Sequence, residues 1–337
     1  MKSVIASLIL VCGVAVSSPT PAAAEPVALK FAFPAPPVDP NYASGVAPWI
    51  EEVNKASGGR LQIQAYPGMA LANFGNVYDR VLNNVAQMAF GTFGPVTSQF
   101  PRTQVSTVSF GTQDTVGMSK ALWNLYAAGT FNPEFEQVKL LALFSFAGTA
   151  LNTNEPITSL ATLKGMKVAV SGRTMADVMT ALGATPITLT PTEYFQGLQR
   201  GTVRAAAISM GAAEEFKLDE VTTHHLIVPL GNAPGFVIMN KAAYAALPEA
   251  LQKLLDQHSG ASLSEKMGVA NDVFQRNAIE HIKSRAGQHV SEISAAQFAQ
   301  WRIRIEPIVQ SWVKDTPNGA AVLAAMHAEL ARLSAAN

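Results

Sequence analysis

The chain has 337 residues, 48% of them hydrophobic and 14% charged, with 24 Lys and Arg balancing 24 Asp and Glu. That length allows roughly two domains, the apolar share excludes a disordered chain, and balanced charge without a basic or acidic tail gives no footprint for a nucleic acid partner. The single cysteine, Cys12, excludes a disulfide framework.

At the amino terminus Lys2 precedes the apolar run 4–16 and then "SSPTPAAAEP". A positive charge, an apolar stretch and small residues before a polar one form an export signal. Ala22 and Ala24 place the cut after Ala24, so residues 1–24 read as a signal peptide and the remainder as a periplasmic protein. The run is shorter than the ~20 residues a membrane-spanning helix needs. Cys12 leaves with the leader, and no thiolate chemistry is expected of the mature chain.

Val27–Phe33 alternates and reads as a strand, ended by the loop "PAPPVDPNY", whose prolines cannot join a ladder. Residues 49–56 read as a helix closed by "SGGR", 61–66 as a strictly alternating strand, 76–83 as a helix, and "AQMAFGTFG" as a short buried strand. The cadence restarts with a strand at 140–146, a helical turn at 159–163, a strand at Lys167–Val170 and a helix at 174–182. A strand at 187–189, a helix at 193–199 and a strand at 203–208 follow, and 237–240 is a strand able to return the chain to the first set. From Pro248 onward the sequence reads as almost wholly helical, with Pro307 expected to break or kink the helix carrying Trp301. Strands alternating with helices imply mostly parallel sheets with helices on their faces. The expected fold class is α/β with two lobes about a cleft. Lobe I takes residues 25–148 and 232–262, lobe II residues 149–231, and residues 263–337 supply long helices that strap the lobes together. Hinges are expected at 147–152 and 230–235, where small residues cluster.

Most signatures of chemistry are missing. The six histidines form neither HExxH nor an i, i+4 pair, so no metal site is expected, and neither a P-loop nor GxGxxG occurs, so no cofactor is expected. "AISMG" (207–211) is a degenerate nucleophile elbow: Ser209 with Asp219 or Asp256 and His281 would make a secreted serine hydrolase, but Ala207 stands where the tight turn wants glycine. The more informative stretch is "KGMKVAVSGRTMADVMTALGA". A short strand breaks at Ser171 and Gly172, and a helix of period Met175, Val178, Met179 and Leu182 follows. Arg173 therefore sits at the carboxyl end of a strand and the amino end of a helix, the edge where open α/β sheets bind ligands and where anions are favoured. The alternative is an ordinary surface arginine. Phe33, Phe74 and Phe93 abut Pro- or Gly-rich bends at the cleft edge, and an apolar lining with few directing polar groups suits a small molecule.

The order "SGGRLQIQAYPGMAL", "SQFPRTQVSTVSF", "LATLKGMKV", "LGATPITLTPTEYFQGLQRGTV" and "VIMNKAAYAALPEALQKLLDQHSG" resembles the TRAP-type periplasmic solute-binding proteins, the extracytoplasmic receptors of tripartite ATP-independent transporters. The resemblance runs over about residues 27–312. It implies two α/β lobes bridged by a long helix, closure around one organic acid, delivery to the TRAP permease membrane subunits, and no catalysis. A monomer is expected. In the family, "LKGLKIRVP" carries an arginine that grips the ligand carboxylate; the corresponding "LKGMKVAVS" has Ala169 there. "AVSGRT" keeps a second family arginine as Arg173, so the resemblance makes Arg173 the candidate clamp, helped by Ser171 and Thr174. Thr149, Ser209, Met210 and Phe236 complete the candidate lining with the three phenylalanines above, and Arg204 is read as solvent-facing. A receptor for a neutral solute is the remaining alternative.

Overall fold

A computed structural model describes residues 25–335; the expected signal peptide, with Cys12, lies outside the described residues. The chain runs β1 (Val27–Phe33), α1 (Ala47–Ala56), β2 (Leu61–Pro67), α2 (Val77–Leu82), β3 (Met88–Thr92), α3 (Val105–Val108), α4 (Thr115–Ala127) and β4 (Val138–Ser145). It crosses to β5 (Ala150–Thr153), α5 (Leu160–Leu163), β6 (Lys167–Val170), α6 (Arg173–Ala181), β7 (Thr185–Thr188), α7 (Pro191–Gln199), β8 (Ala205–Ile208), α8 (Met210–Glu215) and β9 (His224–Ile227). It returns through β10 (Pro234–Asn240), α9 (Lys241–Ala245) and α10 (Glu249–Gln257), and ends in α11 (Ala261–Ser284), β11 (His289–Glu292), α12 (Ala295–Asp315) and α13 (Gly319–Ser334).

Two sheets result, ordered β2-β1-β3-β10-β4 and β11-β9-β5-β8-β6-β7. The expectation of mostly parallel sheets needs amendment. β10 is antiparallel to both β3 and β4, and β5 is antiparallel to both β8 and β9. Each is the strand that enters its sheet from the other lobe, so it starts where its neighbours end. Pro234 pairs with Ser145 and Gly235 with Thr92, while Ala150 faces Ile208 and Ile227. The carboxyl ends of β3, β4, β8 and β9 and the amino ends of β5 and β10 thus gather at the two crossings, residues 146–149 and 228–233. That is the cleft edge of an open α/β sheet.

Lobe I buries its apolar residues on both faces of the first sheet, in one cluster with Phe93, Phe100 and Phe236 and another with Phe31, Trp49 and Phe90. Lobe II does the same with Val168, Val170 and Val178 on one face and Ala169, Tyr194 and Ala206 on the other. The strap between them is α11. Its first half joins lobe I, where Gly45 packs on Met267 and a Cβ at Gly268 would overlap Ser119. Its second half joins lobe II, where Gln275 Oε1 accepts from Gly211 N at 2.9 Å and Ile282 is fully buried beside Met210.

Two features of the carboxyl-terminal region differ from the helical expectation. β11 pairs parallel with β9, His289 opposite His224. Four largely exposed residues carry little apolar pattern, and the edge ladder supplies what the sequence does not show. Helix α12 also runs unbroken through Pro307. Trp301, Ile305 and Val309 form one buried stripe at i, i+4 spacing, and this packing outweighs the hydrogen bond that proline removes. α13 then returns to lobe I, burying Val322 and Met326 in its core.

Candidate functional site between the lobes

Helix α6 begins at the cleft because β6 ends there. Its N-cap, Gly172, is extended and no side chain caps the helix, so the amino end is a ready position for an anion. Lobe I faces it closely: a Cβ on Gly94 would lie 3.4 Å from Ser171 O, and Thr107 Oγ1 is 3.3 Å from Thr174 Oγ1. Beneath the turn lies Tyr194 from α7. Its ring is fully buried and packs with Ala169, and its hydroxyl reaches Ser171 without completing a hydrogen bond. Burial holds the Tyr194 proton well above the ordinary phenol range, with Ser171 acting weakly the other way. The group is therefore a neutral donor that completes no hydrogen bond among the described residues, with Ser171 its one polar neighbour within reach, a costly state for a buried polar atom.

Arg173 is placed at this helix start but points outward. Its side chain is 88% exposed, and its nearest acid is Asp177, with Nε 3.8 Å from Oδ2. It stands at the rim of the site, without the geometry of a buried clamp. Ser171 is exposed and Thr174 half-buried, both at the inter-lobe edge.

The other expected lining residues divide. Phe33 is fully buried, 4.5 Å from the Phe90 ring and 5.1 Å from Tyr42; Phe93 lies 4.8 Å from Phe100 and 4.9 Å from Phe236. These corrections to the lining share one cause: glycine- and proline-rich bends flank the rings, but each ring turns back into the lobe I core. Phe236 and Met210 are likewise core residues, 1% and 0% exposed. Phe74 is half-buried against the outer cluster of lobe I. Thr149 lies buried in the first crossing, its carbonyl accepting from Val228 N at 3.0 Å.

Ser209 is a helix cap, accepting from Ala212 N at 3.3 Å. The proposed triad partners are committed elsewhere: His281 to Glu214, Asp219 to Arg285, and Asp256 to Tyr244 and Lys139. Without a base beside it, Ser209 has no route to nucleophilic activation.

The sequence reading missed two further groups of residues. Asp39, at the end of the proline loop after β1, is 4% exposed and its Oδ1 accepts from Asn41 N at 2.7 Å. Glu215, half-buried at the end of α8 in the opposite lobe, hydrogen-bonds it. Burial, then the Asp39 charge, then that hydrogen bond push Glu215 up to about 9, so Glu215 keeps its proton near neutral pH and donates it to Asp39. Asn41 Oδ1 accepts from Asn271 Nδ2 of α11 at 2.8 Å, tying the loop to the strap. The second group is Ser106 and Asn232, both fully buried where α3 meets the second crossing. Asn232 N donates to Ser106 O at 3.0 Å and its Nδ2 to Phe146 O at 3.1 Å, while Asn232 Oδ1 and Ser106 Oγ have no partner. No sequence signal marks any of these as site residues, because each acquires its role only from a tertiary neighbour.

Comparison with known proteins places this geometry. The C4-dicarboxylate-binding periplasmic protein DctP of Rhodobacter capsulatus is 23% identical over 335 residues, 98% of this chain and 99% of its own. A TRAP solute-binding protein of Rhodoferax ferrireducens T118, in complex with benzoate, is 26% identical and superposes with a TM-score of 0.84 over 92% of this chain and 99% of its own. A marine metagenome TRAP solute-binding protein specific for aromatic acid ligands, in complex with 3-hydroxybenzoate, is 25% identical with a TM-score of 0.86 over 92% and 99% of the two chains. Residues 33–315 match the sequence profile of the family described as bacterial extracellular solute-binding protein, family 7. The two crossings, the strap helix and the uncapped helix end between the lobes are thus parts of a transport receptor and not of an enzyme, and the chain belongs to family 7 of the bacterial extracellular solute-binding proteins.

Proposed function

We propose that this protein is a periplasmic, monomeric receptor that closes its lobes on a small organic acid and hands it to a TRAP permease. Residues 25–148 and 232–262 act as one lobe and 149–231 as the other, with the two crossings as hinges. The carboxylate sits at the amino end of α6, taking hydrogen bonds from its leading N–H groups, from Ser171 or Thr174, and from the Tyr194 hydroxyl. Arg173 adds positive charge at the rim.

One observation carries this reading: Tyr194 keeps a buried, protonated hydroxyl that completes no hydrogen bond, beside an uncapped helix start that faces the other lobe. An anion supplies the missing acceptor to both. The aromatic acids held by the two solved relatives favour an aromatic monocarboxylate.

Calorimetric titration of wild type and Tyr194→Phe with benzoate and 3-hydroxybenzoate tests it. The variant removes only an unpaired hydroxyl, so it folds at least as stably. Its affinity should fall by about tenfold or more, the scale of a hydrogen bond to a charged group, ~1.5–3 kcal/mol. Binding of neither acid, or equal affinities for the two proteins, would contradict the reading.

A further inference from the structure

The amino end of α6 satisfies a carboxylate, but it leaves the second crossing unexplained. There the chain buries an acceptor and a hydroxyl that it never pairs. Asn232 Oδ1 is orphaned because its amide nitrogen is committed to Phe146 O. That bond fixes which end of the amide turns inward. Ser106 Oγ is orphaned although its own backbone carbonyl receives Asn232 N. Buried side-chain polar atoms are nearly always paired, and each left alone costs stability. Two on residues joined by a backbone hydrogen bond, where α3 meets the second crossing, therefore point to a group that arrives from outside.

The place is fixed relative to the carboxylate position. Thr107, next to Ser106, touches Thr174 in the first turn of α6, and Gly231, next to Asn232, would drive a Cβ to 2.3 Å from Thr107 O. The unpaired atoms are thus one residue removed from the contact between α3 and α6.

We infer that the solute carries a hydroxyl as well as its carboxylate, and that Ser106 and Asn232 read that hydroxyl. The inference rests on the acid-binding reading above. A hydroxyl is the group that matches the pair, since it donates to Asn232 Oδ1 and accepts from Ser106 Oγ. An unsubstituted acid leaves both atoms unpaired and is discriminated against, because a site built for a hydroxyl rejects the analogue lacking it far more strongly than an apolar pocket rejects a missing methylene.

The test uses wild type and Ser106→Ala, titrated calorimetrically with two matched pairs, 3-hydroxybenzoate against benzoate and mandelate against phenylacetate, and with neutral 3-hydroxybenzamide. Ser106 Oγ makes no bond within the protein, so the variant keeps its fold, which an unchanged or raised melting temperature of the unliganded protein verifies. Wild type should prefer the hydroxylated member of at least one pair by about tenfold or more. Ser106→Ala should collapse that preference while leaving the affinity for the unsubstituted acid unchanged. Asn232→Asp keeps an acceptor and should retain part of the preference. Equal affinity for both members of each pair, or a preference untouched by Ser106→Ala, overturns the inference and assigns the two atoms to internal water, with the acid-binding reading intact. Ser106-dependent binding of 3-hydroxybenzamide without binding of any acid upholds Ser106 as the reader of a hydroxyl and overturns the carboxylate. Failure of all five probes overturns both.

Discussion

Three residues near the cleft carry charge in ways with different consequences. Arg173 is legible in the sequence: an apolar strand, a Ser-Gly break and a helical period place it at a helix start. What the sequence cannot show is where its side chain points. At 88% exposure, it is a rim charge, and such charges alter association rate and salt dependence more than dissociation. Arg173→Ala should slow association with 3-hydroxybenzoate a few-fold at low salt and lose that effect near ~1 M salt, where screening reaches within ~3 Å. Stopped-flow rates at two ionic strengths check this; a large loss persisting at high salt would return Arg173 to the role of buried clamp.

Glu215 titrates against the Asp39 carboxylate of the opposite lobe. Glu215 stands at about 9 in the folded protein against an ordinary 4.5, so between those values the folded state holds a proton that the unfolded chain has released. Stability from this pair is therefore complete below about 4.5 and lost as pH rises through about 9. Beside Glu215 on α8, Glu214 pairs with His281 of α11, and Arg276 and Asp272 pair with each other along α11. Glu215→Gln removes the titration while keeping a donor to Asp39. Melting temperatures from pH 5 to 9 should fall for wild type relative to the variant as pH rises; parallel curves would contradict the proton held on Glu215. The pair was invisible in sequence because its members lie far apart in the chain and meet only when the lobes do.

At the scale of elements, the second crossing has tightly constrained backbone. Gly231 has φ +85°, and a Cβ there would overlap the Thr107 carbonyl at 2.3 Å. Gly231→Ala combines left-handed strain with a backbone clash and should destabilise by about 2–4 kcal/mol, read as a lower denaturant midpoint; an unchanged midpoint would show that the crossing yields freely. The small residues of the two crossings are why the sequence suggests hinges at 147–152 and 230–235. The strands they feed were harder. β10 read as an ordinary strand, whereas β5 was not read as a strand at all, its first residues being taken for a hinge; the antiparallel direction of both follows from entering each sheet at the cleft edge, which local pattern does not encode. α12 was misjudged at Pro307 because a local rule met a buried stripe of Trp301, Ile305 and Val309. Tyr194 was passed over because a tyrosine in an amphipathic helix reads as core, and only the missing partner of its hydroxyl distinguishes it.

For the whole molecule, the two lobes communicate through two crossings and α11, whose Asn271 reaches the Asp39 loop through Asn41 and whose Gln275 holds α8. On the proposed function, closure on a ligand moves the two sheets about the crossings. Small-angle scattering should show a smaller radius of gyration with saturating 3-hydroxybenzoate than without it, and an unchanged radius would oppose a closing receptor. The most direct measurement is a crystal structure of the protein grown with 3-hydroxybenzoate. The account predicts the carboxylate between the lobes, within hydrogen-bonding distance of Tyr194 Oη and the leading N–H groups of α6. A carboxylate bound away from the α6 amino end, with Tyr194 Oη still unpaired, would contradict it.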